Sequence, residues 1–185
     1  MEISDSFFIG GGAALHAVGG TVIVSDSYFQ SMTSGLLINS ADSVQITGCS
    51  FTTIGELHGP FIALGWFGSS GVVDVSDSGN VSMADSVFAS YTPGGFVVWT
   101  DDENVIMSGN RFEIDTGGYF TDLYGFNFNN FQFIWQFAAV GFTSCGDVDI
   151  TENAFTFNEL DSGTAWIYLD SNTGTNCLSA NKLSV

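Results

Sequence analysis

The chain repeats one short pattern of apolar and polar positions. Each copy is an octet that reads apolar, any, apolar, Ser/Thr/Ala, any, Ser/Asn/Cys, any, Phe; the weaker last copy begins with Asn and closes with Leu. The two apolar positions share one side of an extended strand, and the small polar residues after them interrupt the alternation. We therefore predict that each octet is a short strand, a tight turn and the start of a second strand. The copies are MEISDSFF (1–8), VIVSDSYF (22–29), VQITGCSF (44–51), VSMADSVF (81–88), VIMSGNRF (105–112), VDITENAF (148–155) and NCLSANKL (176–183).

Between the octets lies a second apolar run whose length suits a strand. The closing residues of successive octets are separated by 21, 22, 37, 24, 43 and 28 residues. The short intervals fit one coil of a solenoid, whereas the longest fits two coils or a large loop. With the second run included, each coil is expected to contain about three short strands. The runs are AALHAV (13–18), GLLINS (35–40), PFIALGWF (60–67), GFVVWT (95–100), FIWQFAAV (133–140) and AWIYLD (165–170).

Two octet positions predict columns of side chains that run along the stack. Asn side chains at the sixth position can hydrogen-bond between neighbouring layers, and Phe side chains at the eighth can stack inside the coils. The residues of this structural ladder are Asn110, Asn153 and Asn181, together with Phe29, Phe51, Phe88, Phe112 and Phe155.

The octets VIMSGNRF and VDITENAF resemble the strand, Asn-turn, strand element of the right-handed parallel β-helix, the pectin-lyase-like fold. The segment FFIGGGAALHAVGGTVIVSDSYF (7–29) is similar to the GGA-type repeat of polymorphic outer-membrane proteins and related surface β-helices. The resemblance implies an all-β, right-handed parallel β-helix (β-solenoid) of about eight coils. Residues 1–185 would form a single domain, with 113–147 as an extra coil or a long aromatic-rich insertion.

The composition limits the classes of molecule that such a protein could bind. Lys and Arg total 2 against 20 Asp and Glu, so the formal net charge is −18. Nucleic acid is not an expected partner because phosphate binding depends on Lys and Arg, and anionic polysaccharides and lipid surfaces are disfavoured by repulsion. A neutral glycan, a cation or another protein chain remains compatible with this charge.

The pattern also extends to both ends of the sequence. Met1 occupies the first apolar slot of an octet, and the last octet is followed directly by the final residues. Terminal coils of solenoids expose strand edges unless they are capped. We therefore expect either a segment of a longer solenoid or a subunit that packs against copies of itself, end to end or laterally.

Few residues of the chain are candidates for a binding or catalytic site. Enzymes with the resembled fold cleave polysaccharides, and Trp99, Asp101, Asp102 and Glu103 are the candidates for binding or cutting a neutral glycan. In this chain, however, the order of carboxylates and histidine is opposite to that of the hydrolase motifs, and no basic element follows. A solvated acidic turn is the competing interpretation of these residues.

Two further sites are suggested by position. Asp5 and Asp26 share the fifth octet position in adjacent coils, where a calcium ion could take oxygen ligands from both layers; two hydrated carboxylates are the alternative. Cys145 and Cys177 lie in neighbouring coils, and an oxidising compartment would allow a disulfide between them. Apart from calcium, no cofactor is expected.

Repetition without a convincing catalytic constellation favours a non-catalytic role. The leading hypothesis is a structural or adhesive β-helix segment of an extracellular or cell-surface protein or filament. The alternative is a carbohydrate-active β-helix, a lyase or glycoside hydrolase, that acts on or binds a neutral polysaccharide.

Overall fold

A computed structural model describes residues 1–53, 73–90, 97–114, 140–157 and 167–184 of the 185-residue chain. These residues form an all-β structure whose strands pair in parallel, which confirms the all-β class and the parallel pairing expected from the octets. Within these ranges there is no helix, and hence none that could cross a membrane. Most of the predicted 113–147 insertion, residues 115–139, lies outside the described residues.

One sheet is built from the first half of every octet. Its seven strands stack in chain order, and equivalent octet positions face one another, as Val22 faces Val44 and Val44 faces Val81. We call one octet strand, together with the chain up to the next octet, a layer. The octet strands are β1 (Glu2–Ser4), β3 (Thr21–Ser25), β5 (Ser43–Thr47), β8 (Asn80–Ala84), β11 (Asn104–Ser108), β14 (Asp147–Thr151) and β17 (Asn176–Ser179).

The longest interval between octets adds no strand to this sheet. Strand β11 pairs directly with β14, and Asn104 faces Asp147 in the register. Equivalent positions of these two octets are 43 residues apart in the sequence but lie on directly neighbouring strands of the octet sheet.

A second sheet of eleven strands contains the strands that follow each octet and those that precede the next. In the first two layers these two strands are continuous, so one 12-residue strand replaces two short ones. Strand β4 pairs through its first residues with β6 and through its last with β7. The strands are β2 (Phe7–Val18), β4 (Tyr28–Asn39), β6 (Ser50–Thr53), β7 (Val73–Ser76), β9 (Val87–Ser90), β10 (Val97–Thr100), β12 (Arg111–Ile114), β13 (Val140–Thr143), β15 (Ala154–Phe157), β16 (Ile167–Asp170) and β18 (Lys182–Ser184).

The core is enclosed by the inward residues of these strands. The first and third octet positions alternate with exposed positions, and Val24, Ile46 and Met107 are fully buried. The Phe residues of the eighth position stack one above another with ring centroids 4.8 to 4.9 Å apart and planes within 9°. Stacked aromatic pairs contribute about 0.5–1.5 kcal/mol each beyond the area they bury. The column consists of Phe8, Phe29, Phe51, Phe88, Phe112 and Phe155.

Candidate functional site

The turn inside each octet holds its fifth residue in the left-handed backbone region. The φ angle is 48° at Asp5, 47° at Asp26 and 52° at Asp85, and it is 65° at Gly48 and 66° at Gly109. Gly adopts this conformation without a steric penalty, and Asp and Asn tolerate it better than most residues. Backbone geometry therefore explains why Asp and Gly recur at this position.

The sixth octet residue, next along the turn, is directed into the stack and links successive layers. The Asn110 Oδ1 atom accepts a hydrogen bond from the Ser86 N–H at 3.0 Å, and Asn153 Oδ1 accepts one from the Asn110 N–H at 2.9 Å. Asn181 Oδ1 continues the series by accepting from the Asn153 N–H at 3.0 Å. The Asn110 amide also donates to the carbonyl oxygen of Met83 at 3.1 Å. Each Asn thus satisfies backbone groups of the layer before it, which water cannot reach.

A second turn, just before each octet strand, repeats this arrangement. The residue after its left-handed position is buried, or partly buried at Asn172. Where this residue is polar, its side chain can again bond to the preceding layer: Asp102 Oδ1 accepts from the Ser78 N–H at 2.9 Å, and Asn172 Oδ1 accepts from the Cys145 N–H at 2.9 Å. Sequence reasoning missed this column because its members share no residue type. They are Ala41, Ser78, Asp102, Cys145 and Asn172.

Carboxylates project from this second turn into an open groove. The groove has a volume of about 420 Å³ and crosses three consecutive layers. Four of its lining residues are acidic, so the groove is strongly negative and would favour a cation or a hydroxyl-rich neutral ligand. The lining residues are Ser40, Ala41, Asp42, Asp77, Ser78, Gly79, Asp101 and Glu103.

The structure separates the residues predicted for glycan binding. Asp101 and Glu103 are exposed and line the groove, whereas Asp102 is only 1% exposed and belongs to the buried turn column. Trp99 occupies the register position between Val75 and Phe142, both of which are fully buried. Asp101 and Glu103 are therefore the two predicted residues that the structure brings together at an accessible surface.

The predicted calcium ligands, Asp5 and Asp26, lie in adjacent layers at left-handed turn positions. The Asp26 carboxylate lies beside the next layer, since a Cβ added to Gly48 would be 2.7 Å from Asp26 Oδ1. Among the described residues, no group of three or more His, Cys, Asp or Glu side chains is arranged to hold a metal ion. The left-handed turn conformation by itself favours Asp at both positions, and calcium binding there stays a prediction.

Cys145 and Cys177, the predicted disulfide pair, are both free thiols in the structure. Cys145 is buried in the second turn column, whereas Cys177 is exposed on the octet sheet. Burial raises the pKa of the Cys145 thiol to about 11, so this side chain remains protonated at neutral pH. Cys145 therefore has the character of a small core residue rather than a reactive thiol.

Asp74 is a titratable residue that the sequence pattern did not single out. It lies on strand β7 opposite Leu37 in the register, and its burial raises the pKa from 3.8 to about 6. The sequence did contain a signal for this residue. Asp74 lies between two valines, and most residues at the equivalent register position of the other layers are apolar.

No family model, curated protein or solved structure matches the chain. Any functional conclusion must therefore come from the geometry of the stack, its turn columns and the acidic groove.

Proposed function

We propose that the chain is a right-handed parallel β-helix that serves as a rigid, non-catalytic segment of an extracellular or cell-surface protein or filament. Its seven octet layers would be seven coils, each rising by about 4.8 Å. The observation that supports this proposal best is the column of stacked Phe side chains, which runs through six successive layers without interruption.

Rigidity is the property that such a column would provide. Neighbouring layers share a stacked ring, a fixed strand register and a hydrogen bond from the first turn column. Sliding or tilting one layer would break all three contacts together, so a stack of this kind resists bending. Structural spacers and adhesins make use of that property.

Antibody labelling of the source material tests the proposal. Antibodies against this chain should label intact, unpermeabilised cells or particles, and immuno-electron microscopy should place the label on the surface or along fibres. Label that appears only after permeabilisation would overturn the proposed location and role.

The acidic groove supports a second candidate function, the binding or cleavage of a neutral glycan. Exposed carboxylates at Asp77 and Asp101 could accept hydrogen bonds from sugar hydroxyls. The double variant Asp77→Asn, Asp101→Asn keeps residues that tolerate a positive φ, and Asp5→Asn is a matched control from the other turn.

If the groove binds or cuts glycans, the double variant should lose binding to neutral polysaccharides or the release of reducing ends, while Asp5→Asn retains it. Equal behaviour of both variants in affinity electrophoresis and reducing-end assays would exclude this candidate function.

A further inference from the structure

We infer that Asn80 carries an N-linked glycan, which projects from the outer face of the octet sheet. This inference rests on the proposed extracellular or cell-surface location, because the enzymes that attach such glycans act on exported chains. It is derived from an acceptor motif, from the positions of the two side chains that define the motif, and from the hydrogen bonds that they make.

One tripeptide of the chain has the form that N-glycosylation requires. The acceptor motif is Asn, any residue except Pro, and then Ser or Thr. Residues 80–82 read NVS, and every other Asn of the sequence lacks Ser or Thr two positions later. The sequence therefore specifies one acceptor and predicts a single glycan.

The motif lies where the second turn joins an octet strand. Asn80 is the first residue of β8 and follows the turn that holds Asp77 at a φ of 51°. Its side chain is exposed, whereas Val81 is only 2% exposed. Because alternate residues of a strand point to opposite faces, Asn80 and Ser82 share the outer face of the sheet. A glycan on Asn80 therefore extends into solvent and leaves the core undisturbed.

The hydrogen bond that the Asn80 side chain makes is compatible with glycosylation. Asn80 Oδ1 accepts from the Asn104 amide of the next layer at 3.1 Å. N-glycosylation replaces a hydrogen on Nδ2 and leaves Oδ1 free to accept the same bond. Asn110 and Asn153 differ, since their Nδ2 atoms donate to the buried carbonyl oxygens of Met83 and Met107. Asn80 thus differs from these ladder residues at the atom that the reaction modifies.

The transfer reaction forms one bond and breaks one. The Nδ2 atom of Asn80 attacks the anomeric carbon of an oligosaccharide that is activated as a lipid pyrophosphate ester. A carbon–nitrogen bond forms, the bond from that carbon to the phosphate oxygen breaks, and the lipid pyrophosphate leaves while Nδ2 loses one proton. Ser82 supplies the hydroxyl by which the transferase recognises the acceptor.

Transfer has to precede folding. Strand β8 is paired on both sides, with β5 and with β11, and a strand held inside a sheet cannot enter the cleft of a transferase. In the folded chain Ser82 Oγ also donates to the Val44 carbonyl of the preceding layer at 3.4 Å. The glycan is therefore added during export, and the folded layer accommodates the product.

The surface around Asn80 fits a neutral glycan. All outward residues of β5, β8 and β11 are uncharged. Ser43 and Asn104 face Asn80 in the register and offer polar groups to sugar hydroxyls. Ile106 faces Ser82 on the same surface and is 51% exposed. A sugar attached to Asn80 would cover part of this apolar side chain, and burial of apolar surface is favourable.

Mass spectrometry of the chain isolated from its source tests the inference. Cleavage next to the acidic residues Asp77 and Asp85 releases a short peptide that contains the motif. This peptide should carry the mass of one glycan, and an N-glycanase should remove the glycan and convert the Asn80 amide into a carboxylic acid. An Asn80 peptide without a glycan would overturn the inference.

Variants produced in the source organism separate the motif from the fold. Asn80→Gln and Ser82→Ala should both abolish the glycan, although Ser82→Ala leaves the attachment atom in place. Ser82→Thr keeps the hydroxyl and should keep the glycan. Asn104→Gln is the matched control, because it alters the amide that bonds to Asn80 and lies outside the motif. A glycan that persists in Ser82→Ala, or one that is lost in Asn104→Gln, would contradict attachment through the motif.

Antibody labelling of the same material distinguishes failure of this inference from failure of the proposed location. A chain without the glycan that is labelled on intact cells or particles would overturn the glycan alone. A chain without the glycan that is labelled only after permeabilisation would overturn the proposed location as well.

Discussion

Burial raises the pKa of the Asp74 carboxyl from 3.8 to about 6. A raised pKa means that the folded state favours the protonated form more than the unfolded state does. The contribution of Asp74 to stability is therefore complete below pH 4 and is lost as the pH rises through about 6. Because the side chain retains some contact with water, we expect a loss of about 1–2 kcal/mol rather than the full value of the shift.

Asp74→Asn removes this titration. The variant should be about 1–2 kcal/mol more stable than the wild type at pH 8 and about equally stable at pH 4. Urea denaturation at both pH values measures the difference. Asp77→Asn, an exposed change three residues along the chain, is the control and should shift stability by less than about 0.5 kcal/mol. An equal gain for Asp74→Asn at both pH values would contradict the titration.

Gly109 is a residue whose backbone conformation and surroundings both disfavour a side chain. Its φ is 66°, and an added Cβ would lie 2.6 Å from Asp85 Oδ1. Gly109→Ala should therefore lower the free energy of unfolding by about 1–2 kcal/mol. Gly141→Ala is the control, because an added Cβ there meets no atom within 4 Å and should leave stability unchanged or slightly raised. Thermal unfolding of both variants measures the difference in stability. Equal melting temperatures would show that the turn at Gly109 tolerates a side chain.

At the scale of the element, the Asn column holds the octet turns together. Asn153 is fully buried, accepts from the Asn110 N–H at 2.9 Å and donates to the Met107 carbonyl at 3.1 Å. Asn153→Ala would leave both backbone groups without these bonds inside the stack. Since each buried polar group left without a bond costs about 1–3 kcal/mol, we expect the variant to lose about 2–4 kcal/mol in equilibrium unfolding.

A surface pair provides the control for this experiment. Asn104 Nδ2 donates to Asn80 Oδ1 at 3.1 Å on the exposed side of the octet sheet. Asn104→Ala should cost less than about 0.5 kcal/mol, because water replaces the lost bond. Similar losses for Asn153→Ala and Asn104→Ala would mean that the buried column does not stabilise the turns.

The second turn column predicts a stabilising substitution. Asp102 occupies the place that Asn110 has in the first column, and both accept from a backbone N–H of the preceding layer. An amide at Asp102 could also donate to a carbonyl of that layer, as Asn110 does, whereas a carboxylate repels carbonyl oxygens. Asp102→Asn should therefore raise stability by about 1 kcal/mol in urea titrations. A loss of stability would show that the carboxylate has a role that an amide cannot replace.

At the scale of the whole molecule, charge opposes folding. The formal net charge is −18, and the one ion pair between side chains in the described part of the chain joins Arg111 to Glu113. Self-repulsion of this kind destabilises a compact state and is screened by salt. We expect the melting temperature to rise by several degrees between about 10 mM and 500 mM NaCl. Sucrose, which carries no charge, should not reproduce the rise below about 0.3 M, and a flat response to NaCl would show that the charges are already dispersed.

The strands could be predicted from the sequence because their information is local. Alternation of apolar residues marks each octet strand, and the recurrent Phe marks the aromatic column. The second turn column could not be found in this way, since Ala41, Asp102 and Cys145 have a shared position but no shared chemistry. Its basis is a pair of backbone angles and a buried N–H group, and neither leaves a periodic signal in hydropathy.

Backbone angles that the sequence pattern does not reveal also affect how the aspartates are interpreted. Asp5 and Asp26 suggested a metal because they are acidic and adjacent in the stack, whereas the structure adds that both have a positive φ, which by itself favours Asp. Asp101 and Asp102 suggested one acidic turn, yet the turn exposes the first residue and buries the second. Side-chain direction within a turn depends on dihedral angles that sequence spacing does not specify.

The fixed register of the layers has a consequence for how such a gene can change. Each of the first six layers contains the same two left-handed turns, and equivalent positions of successive octets are 21 to 43 residues apart without any disturbance to the pairing of the octets. Recombination between two octets would delete or duplicate one whole layer and leave its new neighbours already aligned. The length of the molecule can therefore evolve by unequal crossing-over, while the loops between strands diversify independently.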